Sequence, residues 1–298
     1  MRVALATCSA LPGGWPDDHV LAEGLAAGGA DVSFEVWDEP AIDWRRFDRV
    51  VIRSTWDYTE KREAFLRWAD SLRGLIRNPA PLVRWNSDKR YLADLETAGL
   101  PVVPTAFVAP GERPPSLDEE VVIKPVVSAG ARDTGRFGEG ARADAQQLLH
   151  RLASEGRVAM VQPYLGAVDA VGETAIVFFA GRESHVLRKR AVLRPDEEAP
   201  IRDDGGIGAA EVMFDESLVT AGEAEADERA VAGRIIEWVG ERFDGLPLYA
   251  RVDMVRDGDG RPLLLELEAV EPNFYLATAE GAAQRLADAV LDELAALG

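Results

Sequence analysis

The stretch LYARVDMVRDGDGRPLLLELE, Leu248–Glu268, decides the fold of this chain. Two apolar-rich runs flank DGDG, a turn signal between strands, so the stretch reads as a β-hairpin. Side chains alternate along a strand. Arg251 and Asp253 therefore share one face, with Val252 and Met254 on the other. On the return strand Glu266 and Glu268 share a face, opposite Leu265 and Leu267. Folding the hairpin gathers three carboxylates and one arginine on one side. Like charges so close repel unless a cation sits among them. Mg2+ is such a cation, because it takes oxygen ligands from a few carboxylates and from phosphates. The plainer reading is the exposed charged face of an edge hairpin. Apolar residues border the carboxylates on both strands, which favours partial burial.

Upstream, VVIKP places Lys124 in a strand after three β-branched residues. A lysine so flanked is rarely buried without a partner, and a phosphate is one partner. A surface lysine that snorkels is the other reading. SAGARDTGRFG, Ser128 to Gly138, follows directly and reads as a glycine-studded loop. Its small residues let backbone N–H groups approach phosphate oxygens. No Gly-Lys-Ser or Gly-Lys-Thr follows, so it is not a P-loop. Before it, Ser87 is placed to N-cap a helix carrying Tyr91, Leu92 and Leu95, with Gly99 ending it. DAQQLLHRLAS reads as a helix and VAMVQPYL as a strand running into a turn.

Residues 1–85 alternate strand and helix signals: RVALAT, DDHVLAEGLAAGG, DVSFEVW, RVVIRST and EAFLRWADSLR. That is a βαβ pattern, hence a parallel sheet covered by helices. Ligands in such sheets bind at the carboxyl ends of strands. RSTWDY, Arg53 to Tyr58, occupies such an end. By itself it reads equally as a satisfied polar turn over a core tryptophan. Beyond residue 165, ETAIVFFAGRESHVLRKRAVL reads as two strands turning at Gly181, and a charged, Gly/Pro-rich loop follows. AEADERAVAGRIIEWVGERF is a periodic helix, and a last helix buries Leu286, Val290, Leu294 and Leu297 on one face.

The 298 residues leave room for two or three domains. Hydrophobic residues make up 47% and charged residues 29%, a globular balance. The net charge of −19 argues against nucleic acid or an anionic membrane as the main partner. One cysteine, Cys8, excludes a disulfide framework. The opening residues read as a strand, not a signal peptide, and no run approaches the ~18 apolar residues of a membrane helix. A cytoplasmic protein is expected, with homo-oligomerisation left open. His19, His150 and His185 are scattered without zinc spacing.

The order of these pieces resembles the ATP-grasp superfamily of carboxylate–amine ligases, from about Asn86 to Glu271. A helix lysine, a strand lysine, a glycine-rich flap, the hinge MVQPYL, GETAIVF, LRKR, Arg-x-Asp and LLLELE occur in that sequence. The resemblance implies an α/β (α+β) ATP-grasp fold with ATP and Mg2+, or Mn2+, as cofactors. It divides the chain into an N-terminal lobe at 1–85, a central lobe at 86–164 and a C-terminal lobe at 165–298. By the same resemblance Lys89 and Lys124 contact ATP phosphates, under Ser128, Ala129, Gly130 and Ala131. Gln162, Tyr164 and Leu165 line the adenine slot, and Glu173 or Asp169 holds the ribose. Lys189 and Arg188 neutralise the γ-phosphate, Arg251 stabilises an oxyanion, and Asp253, Glu266 and Glu268 bind the metal. Many members end in Glu-x-Asn where this chain has Glu266-Leu267-Glu268, which puts the ligand set in question. The segment 194–211 is a candidate lid. IRSTWDY and ELEAVEPNFYL resemble the branch of O-ureido-serine cyclo-ligases, implying ADP-forming closure of an amino-acid-derived ring. An intermolecular amino-acid ligase and a non-catalytic ATP-binding regulator are the alternatives. On the lobe facing the acceptor, Arg53 then holds a carboxylate, Ser54 and Thr55 a polar head, and Asp57 an ammonium. Trp56 and Tyr58 form walls, with Asn273 and Tyr275 opposite, a set suited to a small zwitterionic amino acid.

Overall fold

The computed structural model of the chain describes residues 1–199 and 215–296. Its first part is β1 (Arg2–Thr7), α1 (Pro16–Ala27), β2 (Asp31–Val36), β3 (Arg49–Ile52), α2 (Arg62–Ser71) and β4 (Ile76–Arg77). The four strands form a parallel sheet in the order β2-β1-β3-β4, as the βαβ pattern requires. Two short helices, α3 (Ala80–Asn86) and α4 (Tyr91–Thr97), lead onward. α3 is a helix that apolar periodicity did not announce. Pro81 sits in its first turn, where a missing N–H costs nothing.

The next elements are β5 (Ala106–Val108), β6 (Val121–Pro125), β7 (Gly135–Phe137), α5 (Arg142–Ser154), β8 (Ala159–Pro163) and α6 (Ala167–Val171). They are followed by β9 (Glu173–Phe179), β10 (Arg182–Lys189), β11 (Glu197–Glu198), β12 (Val219–Ala221), α7 (Ala226–Arg242), β13 (Tyr249–Arg256), β14 (Pro262–Glu268) and α8 (Ala282–Ala295). Two antiparallel sheets result, β11-β7-β6-β8-β5 and β12-β10-β9-β13-β14. The first takes its edge strand β11 from beyond residue 165, where Glu197 pairs with Arg136 and Glu198 with Gly135.

Three local readings need correction. Ser87 is not the N-cap of α4; it closes α3, and α4 begins at Tyr91 with no side-chain cap. Lys89 stands in the turn between these helices, not on a helix, because its own N–H is taken by Val126 O at 2.8 Å. The stretch from Ser128 to Gly138 is not all loop: Gly135–Phe137 is β7, paired with β6 and β11. Most of segment 194–211 and Leu297 lie outside the described residues.

The parallel sheet and the C-terminal antiparallel sheet share one core. Val3, Leu5, Leu21 and Leu25 pack with Val177, Phe179, Tyr249, Leu286 and Val290. α8 lies against α1 along a glycine face, where a Cβ at Gly24 would come within 3.0 Å of the Ala287 Cβ. A second core, with Leu92, Leu95, Ile176, Ile235, Val252 and Leu264, joins α4 and α7 to the other face of the C-terminal sheet. Among the described residues no helix is long and apolar enough to cross a membrane.

Candidate active site

A cavity of about 260 Å3 opens between the two antiparallel sheets and the carboxyl end of the parallel sheet. The hairpin β13–β14 supplies its floor. Their register sets Arg251 opposite Glu268 and Asp253 opposite Glu266, with a bulge only after Asp253. The charged face is therefore inward, not an exposed edge, and it is crowded with compensating cations. Arg251 Nε and Nη2 donate to both oxygens of Asp253 at 2.8 Å, and Nη2 also reaches Glu268. Lys189 pairs with Asp253 at 2.7 Å and Glu173 at 3.0 Å. Lys89 and Lys124 reach the two oxygens of Glu266 at 3.2 and 3.3 Å. Lys89 Nζ also donates to Ser128 O at 2.7 Å.

These contacts set the titration of the group. Burial pushes Asp253 upward, but Arg251 and Lys189 outweigh it and hold its carboxyl well below the usual range. Burial likewise opposes ionisation of Glu266, and Lys124 and Lys89 overcome it, so its carboxyl is also lowered. Glu268 is raised, because burial and its two acidic neighbours exceed the pull of Arg251. Burial would lower Lys189, but Asp253 and Glu173 raise it above the ordinary lysine value. Among the described residues no three acidic, thiol or imidazole groups converge into a self-sufficient metal cage.

Another part of the lining is apolar. Val103, Val122, Val168, Val255 and Leu265 form a slot closed at one end by Gln162, Pro163, Tyr164 and Leu165. Ser128, Ala129, Gly130 and Ala131 form a second rim, with Gly130 at φ 61° and Ala131 at φ 55°, a left-handed turn that presents backbone to the cavity. Glu173 lines the cavity. Asp169 does not: it sits on α6, bound by Arg136 at 2.9 Å and by the Tyr164 hydroxyl at 2.7 Å. Arg188 is also displaced. It neighbours Lys189 on β10, so strand alternation turns it outward to Thr174 Oγ1 at 2.6 Å and Glu223 O at 3.0 Å.

The strand-end stretch divides the same way. Trp56 and Tyr58 line the cavity, as do Asn273 and Tyr275. Arg53, Ser54, Thr55 and Asp57 are buried behind them and do not line it, so the roles read for them as substrate contacts are corrected. Arg53 is taken by Asp18 at 2.8 Å and Pro272 O at 3.2 Å, and stacks over Phe274. Ser54 donates to Asp18, and Asp57 accepts from Trp37 Nε1 at 2.8 Å and Lys61 at 3.0 Å.

Several lining residues were missed by sequence reasoning. Trp15 follows β1 as Trp56 follows β3, and their rings meet edge to face at 5.2 Å. The strand-end rule applied to β1 would have found it. Asn86, Ser87, Thr134 and Ala191 to Leu193 carried no signal. Glu271 lies beyond the alternation of β14 and also escaped notice.

Three sheets around a cleft that pairs lysines with carboxylates have the architecture of the ATP-grasp fold. An ATP-grasp RimK-domain protein from Sphaerobacter thermophilus DSM 20745 superposes with a TM-score of 0.67 at 20% identity, over 98% of this chain and 100% of that one. More specifically, residues 3–78 match the family model of the D-cycloserine synthetase DcsG N-terminal domain. The chain is 36% identical over 274 residues to the cycloserine biosynthesis protein DcsG of Streptomyces lavendulae, covering 87% of each. The crystal structure of D-cycloserine synthetase DcsG superposes with a TM-score of 0.83 at 32% identity, over 99% of this chain and 100% of that one. The chain belongs to the D-cycloserine synthetase family.

Proposed function

We propose that this ligase closes O-ureido-D-serine to D-cycloserine, with release of ADP, phosphate, carbon dioxide and ammonia. The observation that carries the reading is the convergence of Lys89, Lys124, Lys189 and Arg251 with four carboxylates on one cavity. A carboxylate condenses with nitrogen only once one oxygen is made a leaving group, and phosphorylation by ATP does this. The transferring phosphoryl group spreads negative charge that positioned cations must meet.

The three lysines hold the phosphates, and the Ser128 to Ala131 turn covers them with backbone N–H groups. The Gln162 to Leu165 rim and the valines of the slot take the adenine, and Glu173 takes the ribose. Arg251 faces the substrate carboxylate and meets charge as it develops on the acyl oxygen. Asp253, Glu266 and Glu268 offer only oxygen donors on adjacent strands, which fits Mg2+ once phosphate oxygens complete the shell. When bound, the ion supplies charge neutralisation and alignment of the phosphates. Lys89, Lys124 and Lys189, now paired with carboxylates, are the cations that would meet the phosphates, and Asp253, Glu266 and Glu268 are the residues that would hold the ion. The acceptor sits against Trp15, Trp56, Tyr58, Asn273 and Tyr275, which supports a small amino acid as substrate. In this reading the lobes divide at 1–85, 86–164 and 165–298, with β11 and α8 crossing between them.

The test is ADP release by the purified protein with Mg2+-ATP. O-ureido-D-serine alone should stimulate it, and D-cycloserine should accumulate in step with ADP. Stimulation only by pairs of amino acids would replace this reading with intermolecular ligation.

A further inference from the structure

Among the described residues the cavity is lined by five acidic and four basic side chains. Four of the acids, Glu173, Asp253, Glu266 and Glu268, are ion-paired to Lys89, Lys124, Lys189 or Arg251. The fifth, Glu271, makes no ion pair among the described residues. Its carboxylate lies beside the Tyr58 hydroxyl, and its carbonyl accepts from Trp56 Nε1 at 3.2 Å. Resting on the amino-acid reading above, we infer that Glu271 is the counter-ion for the α-ammonium group of the substrate, with Trp56, Tyr58 and Tyr275 as the aromatic walls around it.

The placement follows from the chain path. Glu271 stands three residues after Glu268, which pairs with Arg251, and Arg251 Nη1 donates to Asn273 O at 2.8 Å. The loop bearing Glu271 thus wraps the arginine that faces the reacting carboxylate. An α-amino acid carries its ammonium one carbon from that carboxylate, so the cation falls beside the loop. Ring faces of Trp and Tyr attract such a cation as well. Asp57, the acid first read for this role, is unavailable behind the wall, held by Trp37 and Lys61. Burial and the negative Glu268 push the Glu271 carboxyl up to about 8, as expected of a buried carboxyl with no cation paired to it.

The decisive measurement is affinity, which needs no turnover. Calorimetry with Mg2+ and a non-hydrolysable ATP analogue compares O-ureido-D-serine with 3-(ureidooxy)propanoate, which lacks the amine. D-serine and D-glycerate form a second pair. The wild-type protein should prefer the ammonium-bearing member of at least one pair by tenfold or more. Glu271→Gln should erase the preference by weakening only that member, and Glu271→Asp should keep part of it, while ATP affinity is unchanged in both. No preference in the wild type, or the same preference in Glu271→Gln, overturns the inference. Loss of ring closure in Glu271→Gln with unaltered affinity overturns it too, and would make the residue a proton acceptor. Failure of O-ureido-D-serine to stimulate ADP release is a separate result, which removes the substrate reading but leaves the ammonium preference to be read from the serine pair.

Discussion

At the scale of single residues, Arg251 is the most constrained side chain of the site, with two carboxylates and a carbonyl on one guanidinium. The role proposed for it concerns charge that appears only during reaction, so its loss should fall on rate more than on nucleotide binding. Arg251→Ala is expected to lower kcat by about 10²- to 10³-fold while the Kd for Mg2+-ATP shifts little. Steady-state kinetics beside ATP calorimetry checks this, and near-normal kcat with weakened ATP binding would assign the arginine elsewhere. Strand alternation made Arg251, Asp253, Glu266 and Glu268 legible, because the register shift, with Leu265 of β14 left over, comes beyond the Asp253–Glu266 pair and leaves their face intact. The same alternation separates Lys189 from Arg188. Glu271 was illegible because it lies past the end of β14, where no period relates neighbours. Asp169 was drawn away by the helical turn of α6, which only the folded chain reveals.

At the scale of elements, the segment after β14 is held in an unusual way. Side chains from other elements bind its carbonyls in turn. Asn78 takes Ala269 at 2.8 Å, Tyr249 takes Val270 at 3.0 Å, and Trp56 takes Glu271 at 3.2 Å. Arg53 takes Pro272 at 3.2 Å, Arg251 takes Asn273 at 2.8 Å, and His185 takes Phe274 at 2.8 Å. Arg53, which looked like a substrate contact, is one of these clamps, anchored by buried Asp18. Arg53→Met should therefore strand a buried carboxylate and cost about 3–5 kcal/mol. Adding Asp18→Asn should restore part of that loss, with a coupling above about 1 kcal/mol in urea unfolding. Additive losses would show that the pair does not act as a unit. In the single variant the KM for the acid should rise and that for ATP should not. The sequence made this element visible as odd chemistry at a strand end, but not which way it faced. That direction depends on Asp18 and Pro272, which are distant along the chain and come close only in the fold.

At the scale of the whole molecule, the βαβ start, the hairpin and the order of strands were legible from periodicity. The two-residue β11 was not, because nothing in a charged loop marks so short an edge strand. The shared core of two sheets was likewise hidden, since it depends on α8 returning to α1. The titration of the site reaches this scale as well. Asp253 and Glu266, with lowered folded pKa values, stabilise the protein above the ordinary carboxylate range and lose that contribution as pH falls. Glu271 has the opposite sign. The folded state keeps a proton that the unfolded state has lost, so stability should decline as pH rises from about 4.5 to about 8. In metal- and nucleotide-free buffer the Tm should thus fall across that interval, and Glu271→Gln should flatten the decline. A wild-type Tm that is level between about pH 5 and 8 would contradict it. The clamped segment carries one last consequence. Its carbonyls are fixed from outside, so the path of the chain there depends little on the side chain of Glu271. The cavity wall can thus be recut at this position by substitution while the scaffold behind it keeps its shape.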